Sequence, residues 1–206
     1  MKSSSGTSER DRGLPLLMRR LNDRSAAVRM DAAREIGQRL RNNGKAPIEL
    51  TRRLADRDEL VRVEVIEALG EIGDPKTLRA LRRVVRDRSP LVRSYVGPAM
   101  AALGGRREAA RLQRLAAREK SAIARVGYYA ALHEVGRDDA VMKLVALLRD
   151  RDYRVRCAAA NTLSGLANRR NASHISKALR EALQHEATIA AASSFRSGIR
   201  AIRRRL

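Results

Sequence analysis

The sequence predicts an all-α protein, a right-handed α-solenoid (α-α superhelix) of about six stacked helical hairpins. Three observations predict it. A motif returns along the chain at near-constant spacing, which marks a repeat architecture. Within each copy, apolar residues recur at three- and four-residue steps, as on one face of a helix. Aromatic residues make up only 2% of the 206, and none is Trp. The core must therefore be built from Leu, Val, Ile and Ala, which favour helices whose axes approach closely.

The repeat is read from five segments that align without a gap: NDRSAAVRMDAAREIG, ADRDELVRVEVIEALG, RDRSPLVRSYVGPAMA, REKSAIARVGYYAALH and RDRDYRVRCAAANTLS. Their anchors Val28, Val61, Val92, Ala124 and Val155 are 33, 31, 32 and 31 residues apart. A sixth, more degenerate copy places Ala190 at the anchor. The first helix of each pair is seen in a stretch such as Leu78, Leu81, Val84 and Val85. An acid then opens a short turn at Asp23, Asp56, Asp87, Glu119 and Asp150, and Val61, Val65, Leu69 and Ile72 trace a second helix. Gly70 and Gly73, followed by Asp74 and Pro75, stop that helix as Gly near a C-cap and Pro beyond it do.

Residues 54 to 75, LADRDELVRVEVIEALGEIGDP, carry a familiar pattern: an Asp, a short turn, Val-Arg, paired small residues, then Ala-Leu-Gly-x-Ile-Gly-Asp-Pro. In this the chain resembles the HEAT-like repeats of phycobilin lyase subunits, over roughly residues 14 to 200. The resemblance implies a stack of helical hairpins. It leaves function open, because such repeats serve as lyases, hydroxylases, nucleic-acid binders and scaffolds. One hairpin cannot bury its apolar face alone, so stacking is physically required. Residues 14–206 are accordingly expected to form a single repeat domain, preceded by a polar, disordered tail over residues 1–13. The longest loops are expected at Asn42 to Pro47 and Asn168 to Ser173, and RSGIRAIRRRL reads as an Arg-rich last helix.

Lys plus Arg total 44 against 23 Asp plus Glu, a formal charge of +21. Such an excess attracts polyanions. The N-terminus lacks a signal-peptide core and no run of apolar residues reaches membrane-spanning length, so a cytoplasmic protein without a membrane role is expected. The single Cys157 excludes an internal disulfide framework.

Two rows of cations emerge from the repeat. The Arg after each anchor (Arg29, Arg62, Arg93, Arg125, Arg156) can pair with the recurrent turn acid and is read as part of the scaffold, as the resemblance also implies. The residue after each turn acid is basic as well: Arg24, Arg57, Arg88, Lys120 and Arg151. Equivalent turns of stacked helices, about 8–10 Å apart, would set these five along one edge. First-helix residues such as Arg83 and Arg86 extend it. Asp31, Glu35, Glu64, Glu67 and Glu71 lie on second helices, so charge is segregated by face.

The second helices are expected to line a concave side with an unusual centre. Gly97-Pro98 falls inside the third of them, where Pro should bend it. The next copy carries Tyr128 and Tyr129 where the others have Ala, Val, Ile or Gly, and His133 stands at the packing position of Gly70. Tyr95, Tyr128, Tyr129, His133 and Asn161 are thus candidates for a recognition patch. The competing explanation is volume compensation, with Tyr129 filling the room left by Gly97.

Enzyme readings find little support. Deoxyhypusine hydroxylase, a diiron HEAT-repeat enzyme, carries His-Glu pairs at equivalent repeat positions. Here His133-Glu134 and His185-Glu186 are not equivalent, so no metal is expected. Cys157 has no His near it in sequence, no phosphate-cradling Gly-rich loop is present, and Trp is lacking for a bilin pocket. The expected function is a non-catalytic scaffold or adaptor, without cofactor, that binds an anionic macromolecule, with an acidic protein surface as the leading partner. Nucleic acid held nonspecifically on the basic edge is the alternative, with a bilin-lyase-like activity behind it.

Overall fold

The computed structural model describes residues 13–205. The expected tail therefore lies outside the described residues except for Gly13. Two compact units, Met1–Gly104 and Gly105–Leu206, divide the chain. Every described regular element is helical.

The first unit holds three hairpins: α1 (Leu14–Arg20) with α2 (Ala26–Arg39), α3 (Ile48–Arg52) with α4 (Glu59–Ile72), and α5 (Leu78–Val84) with α6 (Pro90–Gly104). The second helices pack in sequence, α2 on α4 and α4 on α6. Small residues let them approach: a Cβ placed on Gly37 would lie 2.8 Å from the Cα of Ala68. The core is aliphatic, with Ile36, Val61, Val65, Leu69, Leu81, Val92 and Val96 fully buried.

The polar ends of the helices are answered locally. Asp58 caps α4 by accepting from the N–H groups of Leu60 and Val61, and Gly73 ends that helix in the left-handed conformation (φ 76°). The loop at residues 41–47 bonds back onto the same helix end, Asn42 N–H to the Glu71 carbonyl and Gly44 N–H to that of Ile72, both at 2.9 Å. A long loop thus caps a neighbouring repeat. Pro98 does not end α6, which runs on to Gly104.

The second unit repeats the plan with α7 (Ala109–Arg118) and α8 (Ala122–Glu134), α9 (Asp139–Ala146) and α10 (Tyr153–Leu166), and α11 (Ala172–Gln184) and α12 (Ile189–Arg205). Helix α10 packs on both α8 and α12. The loop expected to reach Ser173 is shorter, because α11 starts at Ala172. The Arg-rich last helix is partly structural: the Arg205 guanidinium donates to the carbonyls of Ser164, Gly165 and Ala167 at the end of α10. Cations at a helix C-terminus satisfy carbonyls that have no partner within the helix.

The sixth copy corrects the sequence register by one residue. Ala190, expected as the anchor, is exposed, whereas Ala191 and Phe195 are fully buried. Five residues before Ala191 stands Glu186, the turn acid of the sixth copy. Glu186 behaves as the other acids do, as described next.

Candidate docking surfaces

The turn acid has two jobs. Its carboxylate accepts the backbone N–H two residues ahead, in all six copies: Ser25 to Asp23 at 2.8 Å, Asp58 to Asp56 at 3.0 Å, Ser89 to Asp87 at 2.8 Å, Ser121 to Glu119 at 2.8 Å, Asp152 to Asp150 at 2.9 Å and Thr188 to Glu186 at 2.8 Å. This is an Asx-type turn or its Glu equivalent, fixing the entry to the second helix.

The second job joins hairpins. Arg29 donates from Nε and a terminal nitrogen to both oxygens of Asp56, at 2.8 and 2.7 Å. Arg62 reaches Asp87 in the same way at 2.8 Å, and Arg156 reaches Glu186 at 2.6 and 2.7 Å. Each pair links the Arg of one copy to the acid of the next. Bidentate guanidinium–carboxylate pairs are strong and geometrically specific. Burial opposes ionisation of Asp56 and Asp87, yet the Arg29 and Arg62 hydrogen bonds and those from the turn hold both below the usual carboxylate range. The Arg156 hydrogen bonds, with those of Thr188, bring Glu186 down to about 2. Arg125 differs, because its Nε is buried with no hydrogen-bond partner among the described residues.

A terminal nitrogen of Arg29, Arg62, Arg93 and Arg156 turns inward to its own turn. Arg29 donates to the carbonyls of Asp23 and Arg24 at 3.0 and 3.1 Å. Arg62 does the same for Asp56 and Arg57, at 2.8 and 3.4 Å, as do Arg93 for Asp87 and Arg88, at 2.7 and 3.4 Å, and Arg156 for Asp150 and Arg151, at 2.8 and 3.2 Å. Arg24, Arg57, Arg88 and Arg151 therefore have their backbone pinned while their side chains face solvent. Arg24, Arg57 and Arg88 in the first unit, and Lys120 and Arg151 in the second, are all exposed. Arg57 also reaches back to the Arg24 carbonyl at 3.3 Å, so these two turns are neighbours. Arg83 and Arg86 are exposed in the first unit.

Charge in the first unit is divided by face. Glu64 and Glu71 on α4 take Arg34 and Arg41 at 2.6 and 2.8 Å. Glu67 between them is raised, by partial desolvation first and then by the charges of Glu64 and Glu71. Burial, with Glu67 and Glu64 nearby, likewise pushes the Tyr95 hydroxyl up. The second-helix side is thus acidic around a half-buried tyrosine.

The five residues expected as a recognition patch are distributed between the units, Tyr95 in the first and the others in the second. Tyr128 is 1% exposed, so it offers a partner no surface. Its position is equivalent to Ala32, Val65, Val96 and Ala159, all fully buried. That shared core position was legible in the sequence. Tyr129 is partly buried against the core of the second unit, with the Lys143 ammonium 5.9 Å from its ring centroid. Asn161 is exposed.

His133 leads to something the repeat pattern did not show. It lines a cavity of about 350 Å³ with Asp138, Val141 and Met142 on one side and Asn168, Arg170, Asn171 and His174 on the other. Of these only His133 was singled out from sequence, since the others lie on first helices and interrepeat loops that the periodic pattern does not bring together.

These features match known proteins at the level of fold. The family described as HEAT repeats matches residues 46–132, and that described as HEAT repeat matches residues 143–169. The phycocyanin lyase complex of CpcE and CpcF from Nostoc sp. PCC7120 superposes with a TM-score of 0.61 at 16% identity, over 93% of this chain and 82% of that one. An archaeal HEAT-like repeats protein from Thermococcus onnurineus NA1 aligns at 13% identity, over 94% and 88% of the two chains, with a TM-score of 0.41. An engineered protein gives 18% identity, 93% and 98% coverage and a TM-score of 0.45. No curated protein matches the sequence. The molecule is an all-α repeat protein of the solenoid class. Its repeats are HEAT-like. No helix among the described residues is long and apolar enough to cross a membrane.

Proposed function

We propose that this HEAT-repeat protein is a non-catalytic scaffold that docks onto an acidic protein surface through the exposed basic residues of its turns. The observation that carries the reading is the division of labour between adjacent cations. Arg29, Arg62 and Arg156 are consumed by the stack, while Arg24, Arg57 and Arg151 are held at the backbone by those same arginines and remain exposed. A partner meeting them finds cations on preorganised turns, which lowers the ordering cost of binding. Exposed charges of this kind chiefly set specificity and association rate.

Protein is favoured over nucleic acid on geometry and composition. Phosphates along a strand advance about 3.4 Å per step, whereas turns of stacked helices repeat at about 8–10 Å, so most phosphates would go unmet. Aromatic side chains for base stacking are scarce.

The test compares the protein with its R57E/R88E/R151E variant. Proteins retained from cell extract by the wild type should be acidic and should be lost with the variant. Retention of the same proteins by both would overturn the proposal. Duplex DNA is the control: binding through all five cations would make log affinity fall against log salt with a slope of about −4.5. DNA affinity with that slope, above that for any retained protein, would move the function to nucleic acid.

A further inference from the structure

The position two residues before each anchor opens the second helix, and in the first four copies it holds Ala26, Glu59, Pro90 and Ala122. The fifth and sixth copies depart from this. Tyr153 and Ile189 stand there, 44% and 86% exposed. Four copies stack without a large apolar side chain at this position, so the stack does not account for these two. Isolated exposed apolar residues are ordinary. This pair is not isolated, because Tyr153 and Ile189 are the first residues of α10 and α12, which pack on each other with axes about 8–10 Å apart, as packed helices have.

A cavity of about 460 Å³ lies between the turns that lead into the same two helices. Leu148, Ala182 and Ala187 supply its apolar lining, and Arg149 and His185 are among its polar residues. The acids nearby are engaged. Asp150 accepts the Asp152 N–H at 2.9 Å, Asp152 pairs with Arg154 at 3.0 Å, and Glu186 holds Arg156 at 2.6 Å. Arg149 and Arg151 are exposed, and neither side chain has an acidic partner among the described residues. This edge of the second unit therefore presents two uncommitted guanidinium groups and two large apolar side chains around a depression. Arg and Tyr beside a pocket are the residue types on which interface energy concentrates.

We infer that the turn edge of the fifth and sixth copies anchors an acidic protein segment that carries a large apolar residue. The inference rests on the docking reading above and gives the partner its chemistry. Carboxylates of the segment meet Arg149 and Arg151. Its apolar side chain packs on Tyr153 and Ile189 and enters the cavity between the turns, removing apolar surface from water. A lipid surface fits less well, because helices that lie on membranes spread their apolar residues along one face, whereas Tyr153 and Ile189 head two different helices.

Two fluorescein-labelled peptides, EDELFDE and EDESSDE, carry the same charge and differ only in their apolar centre. Fluorescence anisotropy of each, titrated with the intact protein at constant ionic strength, should show the first bound at least about tenfold more tightly. Ile189→Ser and Tyr153→Ser, verified as folded by circular dichroism, should each cut that preference roughly fivefold. Leu60→Ser, which removes an exposed apolar residue of the first unit, should leave it unchanged. Equal affinity for the two peptides, or a preference untouched by Ile189→Ser and Tyr153→Ser, would overturn the inference; if R57E/R88E/R151E then loses both peptides, docking through charge alone still stands. Binding of neither peptide would also overturn it, while the docking reading is judged separately by the proteins retained from extract. Sedimentation with phosphatidylserine vesicles that is lost in Ile189→Ser would overturn it in favour of lipid.

Discussion

Arg156 donates from Nε to one oxygen of Glu186 at 2.6 Å and from a terminal nitrogen to the other at 2.7 Å, across thirty positions of sequence. The same carboxylate accepts the Thr188 N–H. Together these bonds identify the sixth copy and place its anchor at Ala191. The last copy has Ala192 where the others have the ladder Arg, so Glu186 receives a rung and none leaves that copy.

The register has a direct test. Ala191→Glu puts an unpaired carboxylate into a fully buried site and should cost about 3 kcal/mol or more in urea unfolding. Ala190→Glu, one residue away and exposed, should stay within about 0.5 kcal/mol. Reversed effects would restore the anchor at Ala190.

The rungs should differ from the pairs on the second-helix face. The side chains of Arg29 and Asp56 are 4% and 3% exposed, so Arg29→Ala strands a buried carboxylate and should lose about 3–5 kcal/mol. Arg34 is 47% exposed in its pair with Glu64. Arg34→Ala should lose at most about 1 kcal/mol. Equal losses in denaturant titrations would show that the ladder does not hold the stack.

Acid should dismantle the same ladder. Asp56, Asp87 and Glu186 have native carboxyls below their usual values, Glu186 at about 2. A carboxyl depressed in the native state binds fewer protons there than in the unfolded chain, so its stabilisation is complete above the unfolded value. For Glu186 it is lost as pH falls from about 4.5 toward about 2. Thermal midpoints measured through this window should fall for the wild type and fall less for Glu186→Gln. Parallel curves would remove Glu186 as a source of the acid sensitivity.

Much of this arrangement was visible before folding. The spacing of Val28, Val61, Val92, Ala124 and Val155 determines the repeat and its helical hairpins, because a periodic core imposes a periodic sequence. The exposed basic residues Arg24, Arg57, Arg88, Lys120 and Arg151 ride on the same period. Where the signal weakened, so did the reading: without an Arg after its anchor, the sixth copy slipped by a residue.

Tertiary structure alone decided what each of these side chains does. Arg29 and Arg24 are the same residue type five positions apart, yet one is spent between hairpins and the other is free for a partner. That depends on where the next copy's carboxylate arrives in space. The cavity at His133 lies further still from the sequence, since the end of one helix and a loop 35 residues later share no period, and only folding brings His133 within reach of Asn168.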